Sequence, residues 1–311
     1  MPLPRVTILM ACHEGAAHLE AQLASIAAQE GVDWHLVASD DGSRDATPEI
    51  LAAFRARNPA RVTLRAGPCR GAAAHFLDLL CASDLPEGTL DAPVALSDQD
   101  DIWYPEKLKQ ALFRLEMASC APLAPAVYSA RSRHVTADGR PLGWSRQHHG
   151  AASFGNALVE NRVSGHAAVL NPAALALVRA VGAVDVPFHD WWLYLLVTAC
   201  GGTVICDPAV VLDYRQHTGN VLGAPRGVLA RLSRLARVLG PEGPRLQAAN
   251  RTALARAAPW LMREAHALLS DLDRAPRAGP ARAARLARLG VSRRHAPADA
   301  ALWLAAALGR V

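Results

Sequence analysis

The sequence predicts an α/β protein, a mostly parallel central sheet flanked by helices, followed by an α-helical C-terminal extension. Three observations predict it. Short apolar runs alternate with longer segments of helical period through the first half of the chain, and strands separated by helices pair in parallel. Three of those runs end in polar turns rich in acids. Beyond residue 225 strand signals give way to Arg/Ala/Leu helix. With 51% apolar and 20% charged residues in 311, the chain has material for a real core and is not a disordered polymer.

Each element has its own signal. Val6–Cys12 is a continuous apolar run, as a strand covered on both faces would be. Ala16–Gln29 is helical, with Leu19, Leu23, Ile26 and Ala27 on one face. Trp34–Ser39 is a strand ending in the turn Asp40-Asp41-Gly42-Ser43. Thr47 is placed to cap a helix over Pro48–Arg57. Arg61–Arg65 is a strand, Gly71–Cys81 a helix, and Pro93–Ser97 a strand that runs into Asp98-Gln99-Asp100-Asp101. Pro105–Met117 is a helix and Ala126–Ala130 a strand. The polar stretch 134–155 reads as a loop or hairpin turning at Asp138-Gly139. Then come a strand Val163–Leu170, helices Pro172–Val181 and His189–Cys200, and short strands Thr203–Cys206 and Ala209–Leu212. Val228, Leu232, Leu235 and Leu239 form an apolar stripe with Arg231, Arg234 and Arg237 beside it. A boundary near Ala224 divides a domain 1–224 from a basic helical region 225–311.

The net charge of +5 conceals two unlike parts. Residues 1–224 carry 15 Arg and 2 Lys against 23 acids, a balance of −6. Residues 225–311 carry 16 Arg against 5 acids, a balance of +11. The six cysteines show neither CxxC pairing nor metal spacing, so free thiols in a reducing compartment are expected. No targeting signal and no run long enough to span a membrane is read. The expected location is cytoplasmic, at most peripheral on the cytoplasmic face of an inner membrane.

In a doubly wound sheet, ligands bind at the carboxyl ends of the strands. Here those ends read Cys12-His13-Glu14-Gly15, Asp40-Asp41-Gly42 and Asp98-Gln99-Asp100-Asp101, which puts several carboxylates on one rim. Such a rim repels phosphate unless a divalent cation intervenes, and it accepts hydrogen bonds from a ribose or a base. Neither GxGxxG after the first strand nor GxxxxGK[ST] is present, which removes the main support for a dinucleotide or P-loop site.

These segments, with His189-Asp190-Trp191-Trp192 and Tyr214-Arg215-Gln216-His217, resemble in order and spacing the inverting family 2 glycosyltransferases of GT-A fold. The likeness is nearest to the bacterial rhamnosyltransferase group and covers roughly residues 5–224. The resemblance implies a nucleotide-diphosphate sugar donor, dTDP-rhamnose most simply, and a saccharide or lipid-linked acceptor in cell-surface polysaccharide biosynthesis. It implies Asp190 as general base. It places Cys12, His13, Glu14, Asp40, Asp41, Asp98 and Arg215 around the donor, one of the pair Asp40 and Asp41 meeting the base. It gives Asp100 and His217 to a Mg²⁺ or Mn²⁺ ion, and Trp103, Gly165, His166, His189 and Trp191 to the acceptor side. Trp103 and Trp144 are candidates to stack on sugar faces. The sequence departs from the family's usual Thr-Tyr-Asn at Cys12-His13-Glu14, and from its Asn-Phe at His75-Phe76.

Two other classes stay open on the residues alone. A metal-dependent nucleotidyltransferase also uses rim carboxylates, but needs a basic Gly-rich loop that is missing. A carbohydrate-binding module would keep the tryptophans without needing Asp100 and Asp190 together. The basic region has no aromatic interleaving or reader motif for nucleic acid. It reads either as helices packed on the body with a solvated Arg face or as a peripheral membrane contact through 225–311.

Overall fold

The computed structural model describes residues 2–118, 124–216 and 242–310. The apolar stripe expected over 228–239, Cys120 and His217 lie outside them. The first half alternates strictly: β1 (Arg5–Cys12), α1 (Ala16–Ala27), β2 (Asp33–Asp40), α2 (Thr47–Arg57), β3 (Val62–Ala66), α3 (Ala72–Cys81) and β4 (Val94–Ser97). These strands pair in parallel in the order β3-β2-β1-β4. Cys12 lies opposite Asp40 and Met10 opposite Ser97. All three acid-rich turns therefore leave the sheet at one edge.

The second half is mixed. It comprises β5 (Ile102–Trp103), α4 (Lys107–Ala118), β6 (Ala126–Thr136), β7 (Pro141–Trp144), α5 (Phe154–Ala157), a 3-10 turn at Gly165–Ala167, β8 (Val169–Leu170), α6 (Pro172–Val181), α7 (His189–Ala199) and β9 (Thr203–Gln216). Among the described residues the sheet runs β3-β2-β1-β4-β8-β6-β9-β5, with β7 on β6 as the hairpin expected around Asp138-Gly139. β8 is antiparallel to both β4 and β6, so β6 again points toward the acid-rich edge.

Three local expectations change. The strand expected over Val163–Leu170 is mostly a turn, which frees Gly165 and His166 from the ladder. The two short strands near the end are one, β9, because Pro208 sits in a bulge where the pairing skips from Ala130↔Asp207 to Arg131↔Val210. Thr47 opens α2 without capping it, and its hydroxyl accepts the Gly15 N–H of α1 at 2.8 Å.

The sheet separates two cores. Along β1, Leu9 faces one and Ile8 and Met10 the other, the alternation a pleated strand imposes. The first core also takes in α8 (Glu242–Arg256), α9 (Arg263–Asp273), α10 (Pro280–Arg288) and α11 (Ala296–Ala307), through Leu254, Leu286 and Leu302 among others. Backbone ties reinforce this. Asn156 Nδ2 donates to the Ser292 carbonyl at 2.7 Å, and the Met262 N–H to the Ala199 carbonyl at 2.9 Å.

Candidate active site

The three strand-end turns are laced together by side chains that cap helix α1. An α-helix leaves its first N–H groups unpaired; here Thr47 Oγ1 takes Gly15 N–H and Asp45 Oδ2 takes Ala16 N–H at 2.9 Å. Ser43 Oγ takes Glu14 N–H at 2.9 Å, and Glu14 Oε1 accepts the Arg44 N–H at 2.7 Å. From the third turn, Gln99 grips both polar groups of the His13 backbone, accepting its N–H at 2.8 Å and donating to its carbonyl at 2.7 Å. A Cβ on Gly15 would crowd Gln99 Oε1, so a side chain there would displace the Gln99 amide from the His13 backbone. The Cys12-His13-Glu14 backbone is thus fixed by the two other turns.

Asp40 and Asp41 separate by environment. Asp41 is buried; its carboxylate accepts the Cys69 N–H at 2.6 Å and lies 3.8 Å from His75 Nδ1. Asp40 is half-buried on the rim, closing the turn on the Ser43 N–H and hydroxyl. Burial, then the charges of Asp40, Asp100 and Asp98, pushes the Cys12 thiol far up, so Cys12 is an inert floor to the acidic rim.

The Asp98–Asp101 run forms a dense charge cluster. Burial and the neighbouring carboxylates of Asp100 and Asp190 push Asp98 up to about 7, against a partial pull from Lys107. Asp101 is fully buried, and burial with Asp98 and Asp100 holds it well above the usual carboxylate range, although Lys107 opposes this. Lys107 itself is driven well below its usual value by burial. Its ammonium donates to the His166 carbonyl at 2.7 Å and sits 3.2 Å above the Trp103 ring centre. His166 is lowered to about 3 by burial and by Lys107, His134 and His189, so its ring is neutral.

These groups fit a divalent cation. Ligand atoms of Asp98, Asp101 and His166 lie within 4.8 Å of one another. Both Asp101 carboxylate oxygens and His166 Nε2 are buried without a hydrogen-bond partner. Two carboxylates and a neutral imidazole are a donor set for Mg²⁺ or Mn²⁺. Asp100 is half-buried beside the cluster, and its backbone carbonyl accepts Arg215 Nε at 3.0 Å.

Asp190 lies in the first turn of α7. Its two oxygens accept the Trp191 N–H at 2.7 Å and the Gly165 N–H at 3.3 Å. A Cβ on Gly165 would lie 2.6 Å from His189 Nε2 and 3.6 Å from Asp190 Cβ. His189 stacks on Phe76 with ring centres 4.1 Å apart, and burial lowers its affinity for a proton despite Asp190. Gly165-His166 therefore joins the two halves of the site. Gly165 holds Asp190, and the next residue belongs to the Asp98–Asp101 cluster.

Other candidate residues are placed away from the open site. Arg215 is buried, and its guanidinium donates to the backbone carbonyls of Asp100 and Ala137, so it positions the acidic segment where direct contact with a diphosphate was expected. Trp103 is 2% exposed with Lys107 over its face, which leaves no surface for a sugar. Trp191 packs against the first core and donates Nε1–H to the Ala157 carbonyl at 2.7 Å. Trp144 is 65% exposed on β7. Asp101, Lys107 and Gln99 went unassigned, although a third acid in one run and one of only two lysines in the chain were the available signals. Beside the site, Ser129, Arg131, Arg146, Glu160, Asn161 and Ser164 help line a cavity of about 460 Å³.

Comparison with known proteins points the same way. Residues 7–129 match the family described as Glycosyl transferase family 2. That segment is similar to the family over β1 to β6. A dTDP-rhamnosyl transferase, RfbG of Shigella flexneri, is 28% identical over 234 residues, which cover 74% of this chain and 78% of that one. Solved structures share the fold. S. aureus TarS 1–349 in complex with UDP-GlcNAc superposes with a TM-score of 0.53 at 14% identity, over 83% of this chain and 73% of that chain. The mannosyltransferase PcManGT from Pyrobaculum calidifontis, in complex with GDP-Man and Mn²⁺, gives 0.51 at 20% identity over 99% and 87%. At those identities the structures establish the GT-A architecture alone, while the family match carries the glycosyl-transfer activity.

Proposed function

We propose that this family 2 glycosyltransferase moves rhamnose from dTDP-rhamnose to a saccharide or lipid-linked glycan acceptor, with inversion and with Asp190 as base. The observation that carries the reading is the Gly165-His166 junction. It brings Asp190, at the start of α7, close to the rim carboxylate Asp98, where a donor would lie. The 28% identity to a dTDP-rhamnosyl transferase supports the choice of donor.

The reaction is one displacement. An acceptor hydroxyl oxygen attacks the anomeric carbon, the bond from that carbon to the diphosphate oxygen breaks, and its electron pair leaves with the diphosphate. Asp190 accepts the hydroxyl proton. The N–H groups of Gly165 and Trp191 hold its carboxylate in place, and an aspartate fixed by two backbone donors loses little to reorganisation. Asp98, Asp101 and His166 would hold the divalent cation, with Asp100 beside them, and that cation would offset the charge gathering on the leaving diphosphate. Lys107 offsets part of the same cluster's charge from below. Of the two turn acids, Asp40 is the one left at solvent to accept from the pyrimidine, while Asp41 braces the Cys69 backbone. The cavity that Ser164 lines beside Gly165 is assigned to the acceptor.

The test is a donor panel with and without Mn²⁺, read as thermal shift and as release of nucleoside diphosphate. dTDP-rhamnose should raise the melting temperature most and yield dTDP. Release of pyrophosphate, or no shift and no release with any nucleotide sugar, overturns the proposal.

A further inference from the structure

Helix α11 has the sequence APADAALWLAAA and is apolar on both sides. Its inner side, with Leu302 and Ala306, is buried in the first core. Its outer side presents Ala300, Trp303, Leu304 and, just past its end, Leu308, the last three 40%, 52% and 58% exposed. The helix's one charge, Asp299, is buried and accepts Ser292 Oγ at 2.9 Å and the Arg293 N–H at 2.6 Å. A solvent-facing helix side is normally polar, so an uncharged one marks an interaction surface.

The border of that side identifies the partner. Arg294 precedes α11 and Arg310 follows it, both exposed, Arg294 also donating to Ser153 Oγ at 3.2 Å. Arg277 comes to the same end as Arg310, because the Gly279 N–H donates to the Ala307 carbonyl at 2.8 Å and Gly309 lies against the Arg277 backbone. Among the described residues, none of these three has a carboxylate partner within ion-pair distance. Acids nearby are engaged elsewhere: Asp271 and Asp273 pair with Arg285 and Arg251, Glu264 with Arg263, and Asp299 is buried. An apolar strip edged with unneutralised guanidinium groups matches a surface that is negative outside and apolar beneath. A second copy of the chain would instead set two positive borders against each other.

We propose that the outer side of α11 lies in the surface of an anionic lipid bilayer. Trp303, Leu304 and Leu308 enter the headgroup–acyl boundary, and Arg277, Arg294 and Arg310 bind lipid phosphates. The contact lies in the plane of the membrane, since no helix among the described residues is long and apolar enough to cross one.

The experiment is co-sedimentation of the full chain with vesicles of phosphatidylglycerol and phosphatidylcholine in equal parts, against phosphatidylcholine alone. Binding is expected to the anionic vesicles and to weaken at high salt. The combined variant Trp303→Ser, Leu304→Ser, Leu308→Ser should lose at least about tenfold in partitioning while keeping its melting temperature. Because that variant alters a helix, a second one, Arg277→Gln, Arg294→Gln, Arg310→Gln, tests the border alone and should flatten the salt dependence. No binding to anionic vesicles, undiminished binding by both variants, or a concentration-dependent dimer that the serine variant abolishes would overturn the proposal.

Discussion

At the scale of single residues, the site depends on close approaches that few side chains permit. Gly165 gives its N–H to Asp190 at 3.3 Å while His189 fills the space where a Cβ would stand. Gly165→Ala must push His189 or Asp190 aside, and a shift on the order of 1 Å at a catalytic group costs up to about a hundredfold in rate. The variant should fold and bind donor, with turnover at least about tenfold lower; unchanged turnover would separate Gly165 from the base. The raised carboxyl of Asp98 makes a prediction in pH. Its value is about 7 in the folded chain against 3.8 as the reference. Between those limits the folded state holds a proton that the unfolded state has lost. The group's contribution to stability is therefore full in acid and is lost as pH rises through about 7. A divalent cation bound by the proposed site would take the proton's place, so the rise in melting temperature produced by Mn²⁺ should be larger at pH 8 than at pH 5.5. Asp98→Asn should flatten that difference, and a Mn²⁺ effect equal at both pH values would contradict it. Much of this was legible in sequence. The Asp98–Asp101 run and Asp190 at a helix start were visible as acids, and the resemblance singled them out, since acids in a turn or at a helix start also have structural uses. The burial of Trp103 beneath Lys107 could not, since it depends on how β5 folds back against β9.

At the scale of elements, the acid-rich turn after β2 has a structural duty beside its functional one. Asp45 accepts the N–H groups of Ala16 and of Thr47, so it caps α1 from outside the helix. Asp45→Ala should lower stability by about 1 kcal/mol, read as a lower denaturation midpoint with unchanged slope. No change would show that water replaces the carboxylate. The sequence suggested a cap at Thr47 but for α2, since a cap is recognised by the helical residues directly C-terminal to it, and here the capped helix comes earlier in the chain. β5 and β8 are two residues each, too short to show any period. The break read between Cys206 and Ala209 came from Pro208, which the bulge in β9 absorbs.

At the scale of the molecule, charge asymmetry between residues 1–224 and 225–311 was plain in the composition, whereas the shared core was not. Helical period tells which side of a helix is buried and is silent about what buries it. Leu302 of α11 and Leu286 of α10 lie in one apolar cluster with Leu195 and Leu196 of α7, the helix that Asp190 opens. Leu302→Ala should therefore cost about 2–5 kcal/mol and lower the whole unfolding transition, monitored through the seven tryptophans. A separate low-temperature transition that leaves the rest intact would instead show two independent units.

The central claim is that a base on α7 serves a donor held by the carboxylate rim. It is tested most directly by the rate at which Asp190→Asn releases dTDP from saturating dTDP-rhamnose with Mn²⁺. The rate should fall by about a hundredfold or more, with donor still bound because the side chains of the rim itself are unaltered. Release at close to the unaltered protein's rate would contradict it.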